Sequence, residues 1–239
     1  MPTGSVTPWL LALGILFVLG AGSRVQALAV TRDWVEPWVG RKVAHIGFGA
    51  AVLFSWVLFA DVALARWFAA LPALGIGMYF LLIATGVVVD RGTVRGGSRS
   101  GTAAGLMRGP VLYALVFAVL TVVFCRTSPV AMAALAFMTF GDSFAEIVGK
   151  TVHSPALPWS REKTVAGSLA ALVAGWCGGL AGLWLLAEAG FIAGPVMGYF
   201  VPMAWVALAG TAVESLPFAE IDNATATLTC AAVGVIVFA

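Results

Sequence analysis

Apolar stretches of roughly 20 residues recur from one end of this 239-residue chain to the other. That is the length a helix needs to cross the hydrocarbon core of a bilayer. The stretches are 8–30, 43–60, 67–89, 110–125, 129–148, 165–187, 191–213 and 223–239. Only 10% of the residues are charged, against about a quarter in ordinary soluble domains. In hydrocarbon a spanning segment must satisfy its own backbone amides, which selects helix for stretches of this length. The expected fold is all-α: a polytopic transmembrane bundle of about eight helices, forming one domain over residues 1–239. Segments 110–125 and 223–239 are short enough to be partial spans.

The basic residues sort by loop. Arg24, Arg32, Arg41 and Lys42 follow the first span; Arg91, Arg95, Arg99 and Arg108 follow the third; Lys150, Arg161 and Lys163 follow the fifth. Only Arg66 and Arg126 fall on the other side. Lysine and arginine in short loops stay cytoplasmic, so the N-terminus is expected outside and the odd-numbered loops inside, in a multi-pass protein of the cell (inner) membrane. The apolar run from Pro8 to Gly22 has no basic residue before it, so it reads as an uncleaved first helix rather than a signal peptide. Cys125, Cys177 and Cys230 lie far apart in apolar segments and form no metal or disulfide pattern. The stretch Asp90–Pro110, rich in Gly, Ser and Arg, reads as a flexible loop. It serves either as a topology anchor touching anionic lipid or as an electrostatic collar for a polyanionic substrate.

Three clusters could carry chemistry. In the first, Phe140–Ser168, Asp142 and Glu146 share one helix face at spacing four in an otherwise apolar span. Carboxylates there are costly and suggest function; paired with bases they suit a divalent metal such as magnesium, which takes one or two carboxylates plus phosphate oxygens. The bland alternative is that Asp142 locks two helices by pairing with an arginine. Gly141, Gly149 and Gly167 would allow close approach of backbone to a ligand. Lys163, Thr164, Gly167 and Ser168 open the sixth span, where free amides and the helix dipole favour phosphate, or where they form only a capping turn. Gly149-Lys150-Thr151 resembles the end of a P-loop, but Phe144 occupies the position where that motif needs glycine and no strand precedes it. The second cluster, Arg41-Lys42-Val43-Ala44-His45, offers phosphate contacts from Arg41 or Lys42 and a hydrogen-bond donor or proton shuttle in His45, or merely a satisfied helix-end histidine. His153 reads as a solvated loop residue. The third cluster holds Glu214, Glu220 and Asp222 with no base. Metal or nucleotide contacts would explain it, with Asn223 as a helix cap in the plainer reading. Opposed acids and bases around glycines suggest a metal-bound polyphosphate, and the apolar surroundings suggest a lipid co-substrate.

At these residues the chain resembles the phytol kinase branch of the polyprenol kinases. The resemblance runs from Arg41 to the C-terminus and rests on RKVAH at 41–45, RSGTAAGLMRGPVLYALVF at 99–117, GDSFAEIVGK at 141–150, LPWSREKTVAGS at 157–168 and ESLPFAEIDNATATL at 214–228. It implies a CTP-dependent kinase of a long-chain isoprenoid alcohol. The family's GD falls on Gly141 and Asp142, its KT-x-x-GS on Lys163, Thr164, Gly167 and Ser168, and its DN on Asp222 and Asn223. Val152-His153 stand where relatives often carry an aromatic-glycine pair, which bears on the loop's conformation and the choice of nucleotide.

The implied assignment makes Asp142, Lys163, His45 and Asp222 catalytic. Arg41, Lys42, Gly141, Gly149, Lys150, Thr164, Gly167, Ser168 and Asn223 would hold nucleotide or phosphate, and Asp142, Glu146, Asp222 and Glu214 would hold Mg2+. The expected partners are CTP, the alcohol and membrane lipid, with no nucleic acid. Phosphatidate cytidylyltransferases share a GD…KT-x-x-GS segment, but their acidic, lysine-containing C-terminal signature is absent here. An ion-coupled transporter could use Asp142 and Glu146, yet gives no reason for the KT-x-x-GS opening.

Overall fold

The computed structural model describes residues 7–59, 64–217 and 222–239. Among them, six helical stretches are long and apolar enough to cross a membrane: Pro8–Thr31, Pro37–Leu58, Ala65–Ala84, Pro129–Thr151, Val165–Glu188 and Val196–Glu214. Two shorter apolar helical stretches, Met107–Val123 and Asn223–Val237, complete the set. The all-α bundle is therefore as the apolar segments predict, and most boundaries agree within a few residues.

The chain forms two compact units, residues 1–123 and 124–239. The first contains α1 (Pro8–Thr31), α2 (Pro37–Phe54), α3 (Ala65–Ala84), the short α4 (Arg91–Gly97) and α5 (Leu112–Val123). Helix α1 packs against α2, α3 and α4, and α3 against α5. Glycine makes the α3–α5 approach close: a Cβ at Gly77 would lie 2.7 Å from that of Ala114.

Two expectations change in this unit. Helix α2 opens at Pro37, so Arg41, Lys42 and His45 sit a turn or more inside it rather than at its start. Proline at the first helical position has its φ preset and needs no amide bond, which explains the earlier start. The segment after α3 is not a flexible loop. Asp90 caps α4, accepting from the Thr93 amide at 3.0 Å, the Thr93 hydroxyl at 3.0 Å and the Tyr79 hydroxyl at 2.6 Å, and it pairs with Arg24 at 2.6 Å. Gln26 Nε2 donates to the Gly96 carbonyl at 2.7 Å. Burial alone would raise the Asp90 pKa, but the hydrogen bonds from Thr93 and Tyr79 and the Arg24 charge bring it below the ordinary carboxylate value.

The second unit contains α6 (Pro129–Ala136), a π-helical turn over Phe137–Gly141, α7 (Asp142–Thr151), α8 (Val165–Glu188), α9 (Phe200–Glu214) and α10 (Asp222–Val237). A two-stranded antiparallel hairpin, β1 (Ala156–Leu157) and β2 (Ser160–Thr164), forms the only sheet among the described residues, in the loop between two apolar segments. Helix α6 with its π turn is the centre of the unit: every residue from Val130 to Thr139 is buried. The Phe137 ring fills the space left by three glycines. A Cβ at Gly141, Gly175 or Gly210 would approach that ring to 3.0, 2.4 and 2.6 Å. Small residues at helix crossings are how membrane helices gain van der Waals contact, since lipid offers little hydrophobic drive between them. At the far end of the unit the buried Arg126 guanidinium lies 4.1 Å from the Phe191 ring centre.

Candidate active site

The π turn positions the first candidate side chain. Its wider hydrogen-bond ring inserts a residue into the helix and shifts the face presented by the next turn, a distortion frequent at functional sites. Asp142, 5% exposed, stands immediately after it. The hydrogen-bonding surroundings set the Asn223 amide with its nitrogen toward this carboxylate, and Nδ2 donates to Oδ1 at 3.1 Å and Oδ2 at 3.2 Å. Asn223 thus lies in the first turn of α10 facing Asp142, rather than serving only as a cap. Asp222 opens α10, but its side chain and Glu220 lie outside the described residues.

Helix α7 then runs along the first turns of α8. The Gly167 position would bring a Cβ to 2.8 Å from the Ala145 carbonyl, and a Cβ at Gly149 would lie 3.3 Å from the Thr164 hydroxyl. Helix–helix approach therefore accounts for glycine at 141, 149 and 167 before any ligand is considered. Thr164 caps α8, its hydroxyl accepting from the Gly167 amide at 3.1 Å. Beside it, the Ser168 hydroxyl is buried with no hydrogen-bond partner among the described residues, as are those of Ser143 and Thr211. A buried polar group left unsatisfied costs about 1–3 kcal/mol, and of the three only Ser168 stands in the first turn of α8, next to the cap.

The hairpin brings Lys163 to the end of α9, where it forms an ion pair with Glu214, a carboxylate 4% exposed. The Trp159 indole fastens the same hairpin by donating to the Ser215 carbonyl at 3.1 Å. Glu214, expected as a metal ligand, orients Lys163 here. Glu146, the other expected ligand, pairs with Lys150 at 2.7 Å on the open side of α7. Among the described residues, no three Asp, Glu, His or Cys side chains gather as a metal cluster. The donor set fits a cation that takes one or two carboxylates and completes its shell from phosphate oxygens, as magnesium does. Asp142 supplies the buried hard-oxygen donor.

Arg41, Lys42 and His45 belong to the first unit. Lys42 is 2% exposed. The His45 and Tyr113 rings meet at a tilt of 55° with centres 4.2 Å apart, and the Tyr113 hydroxyl donates to the His45 carbonyl at 3.4 Å. His153 is exposed, as expected of a loop residue. The sequence reading missed Trp159, Ser215 and Phe137. The LPWS and ESLP segments were visible in the sequence, but nothing local paired them.

No family profile matches the chain, and no solved structure is similar to it. Curated relatives are clear. A probable chloroplastic phytol kinase of Zea mays is 32% identical over 231 residues, which cover 95% of this chain and 76% of the relative. Probable phytol kinase 3 of Glycine max is 34% identical over 86% of this chain and 65% of its own length. The farnesol kinase of Arabidopsis thaliana is 33% identical over 83% of this chain and 65% of its own length. The chain therefore spans just under two thirds of the latter two.

Proposed function

Because the chain belongs to the phytol kinase branch of the polyprenol kinase family, we propose that it transfers the terminal phosphoryl group of CTP to a long-chain isoprenoid alcohol of the phytol, geranylgeraniol or farnesol class. The reaction would occur at the cytoplasmic face of the cell membrane. The observation that carries this reading is the pairing of distant motifs at one end of the second unit: buried Asp142 with Asn223, and Lys163 with Glu214.

Phosphoryl transfer is mostly positioning and charge neutralisation. The alcohol oxygen forms a bond to the terminal phosphorus, the bond from that phosphorus to the bridging oxygen breaks, CDP leaves, and the alcohol proton passes to a carboxylate base. Bound Mg2+ would be held by Asp142, with Asp222, and would offset charge on the phosphates. Lys163 places its ammonium where negative charge grows in the transition state, and Glu214 fixes that ammonium in advance. The Ser168 hydroxyl donates to a phosphate oxygen, and Thr164 keeps the first turn of α8 in shape for it. The prenyl tail lies among the apolar helices.

The test is incubation of purified protein with γ-labelled CTP, Mg2+ and mixed prenyl alcohols. Label in an isoprenyl monophosphate is the expected result. Label appearing only in pyrophosphate, with a CDP-lipid product, would replace the kinase reading with cytidylyl transfer; no nucleotide dependence at all would end both.

A further inference from the structure

The first unit holds an open cleft of about 650 Å³ between the end of α3 and α4. We propose that it binds the phosphate headgroup of an anionic membrane phospholipid. Arg91, Arg95 and Arg99 line it, together with Ser98 and Ser100. Its single acid, Asp90, has its charge answered by Arg24 and accepts from Thr93 and Tyr79, so the cleft is net positive. Arg91 has no hydrogen-bond or ion-pair partner among the described residues, and Arg95 bonds only the exposed Asp33, at 2.6 Å. A surface pair of that kind contributes little and yields readily to a phosphate. Arginine's fork of donors matches phosphate oxygens.

The walls decide between a lipid and a soluble anion. Val88, Val89, Val94 and Ile83 line the same cleft, and Val87 and Val89 are 72% and 82% exposed just past the end of a spanning helix. Valines so placed beside arginines suit the boundary between acyl chains and headgroups. Trp34, 67% exposed and covered by the Arg32 guanidinium at 5.7 Å, follows Asp33, the partner of Arg95. Tryptophan is enriched at that boundary. The cleft thus offers cations to a phosphate and apolar surface to the chains attached to it.

Native mass spectrometry of the full chain in detergent tests this, with dioleoyl phosphatidylglycerol or dioleoyl phosphatidylcholine added. The wild type should retain phosphatidylglycerol preferentially. Arg91→Gln with Arg99→Gln should lower that preference at least about fivefold, the scale of one juxtamembrane basic residue. Arg66→Gln, at the opposite end of α3, should leave it intact, and Arg91→Lys with Arg99→Lys should retain most of it. If the double glutamine variant unfolds, Arg91→Gln alone decides, with about a fivefold fall expected. Unchanged preference in the glutamine variants overturns the proposal. So does equal binding of the two lipids, or displacement of phosphatidylglycerol by inorganic phosphate or geranylgeranyl monophosphate, which would mark a site for small phosphate monoesters.

Discussion

Two π-helical turns occur among the described residues, one before the apolar α5 and one before the amphipathic α7, and they differ in cause. Met107–Val111 contains Pro110 and has no buried residue. Proline lacks an amide hydrogen and crowds the carbonyl one turn back, so a widened turn is the local way to keep a helix going. Phe137–Gly141 contains no proline, and Phe137, Met138, Thr139 and Gly141 are all buried. Nothing in that sequence forces a π turn. The Phe137 ring, set among Gly141, Gly175 and Gly210 on three elements, holds it. A distortion imposed by one residue can sit anywhere; one held by tertiary packing can aim a side chain, and here it ends at Asp142.

Four substitutions break or sharpen that contrast. Asp142→Asn should lower phosphoryl transfer by about a thousandfold, the upper range for losing one electrostatic stabiliser, with the melting curve in detergent nearly unchanged. Full activity would remove Asp142 from the chemistry. Phe137→Ala should cost about 3–5 kcal/mol of stability, as for other buried aromatics, and should reduce transfer along with it by releasing the π turn. A stable variant with wild-type activity would show that the turn is incidental. Asp90→Asn should cost about 1–3 kcal/mol through weakened charge-assisted hydrogen bonds, measured by thermal shift. Because folding lowers the Asp90 pKa, its contribution is fully present above the unfolded value of about 3.9 and is lost as pH falls through the folded value. The variant should therefore lose part of the wild type's acid sensitivity. Pro110→Ala should shift stability by no more than about 1 kcal/mol, the scale of proline's effect where the backbone already accommodates it, because that turn contains no buried residue.

The spans were legible in the sequence because hydropathy over 20 residues is a local property; α1, α3 and α8 begin and end within a few residues of their apolar segments, apart from the early end of α3. The KT-x-x-GS opening of α8 was legible as well, since a capping threonine followed by glycine is a local signal. The Asp90–Pro110 segment was misread. Its composition is that of a mobile loop, but its order comes from Arg24, Gln26 and Tyr79, which are distant in sequence. The glycines at 141, 149 and 167 were read for ligands because their helix partners could not be seen.

What the sequence determined by itself is the set of membrane-length helices, because a backbone in hydrocarbon has only its own neighbours to bond with. It also set which polar residues interrupt them. Tertiary structure alone decided that Asn223 answers Asp142, that Glu214 holds Lys163, and that Phe137 keeps its π turn. The physical reason is that each of these depends on which helices lie side by side, and no periodicity along one helix encodes its neighbour.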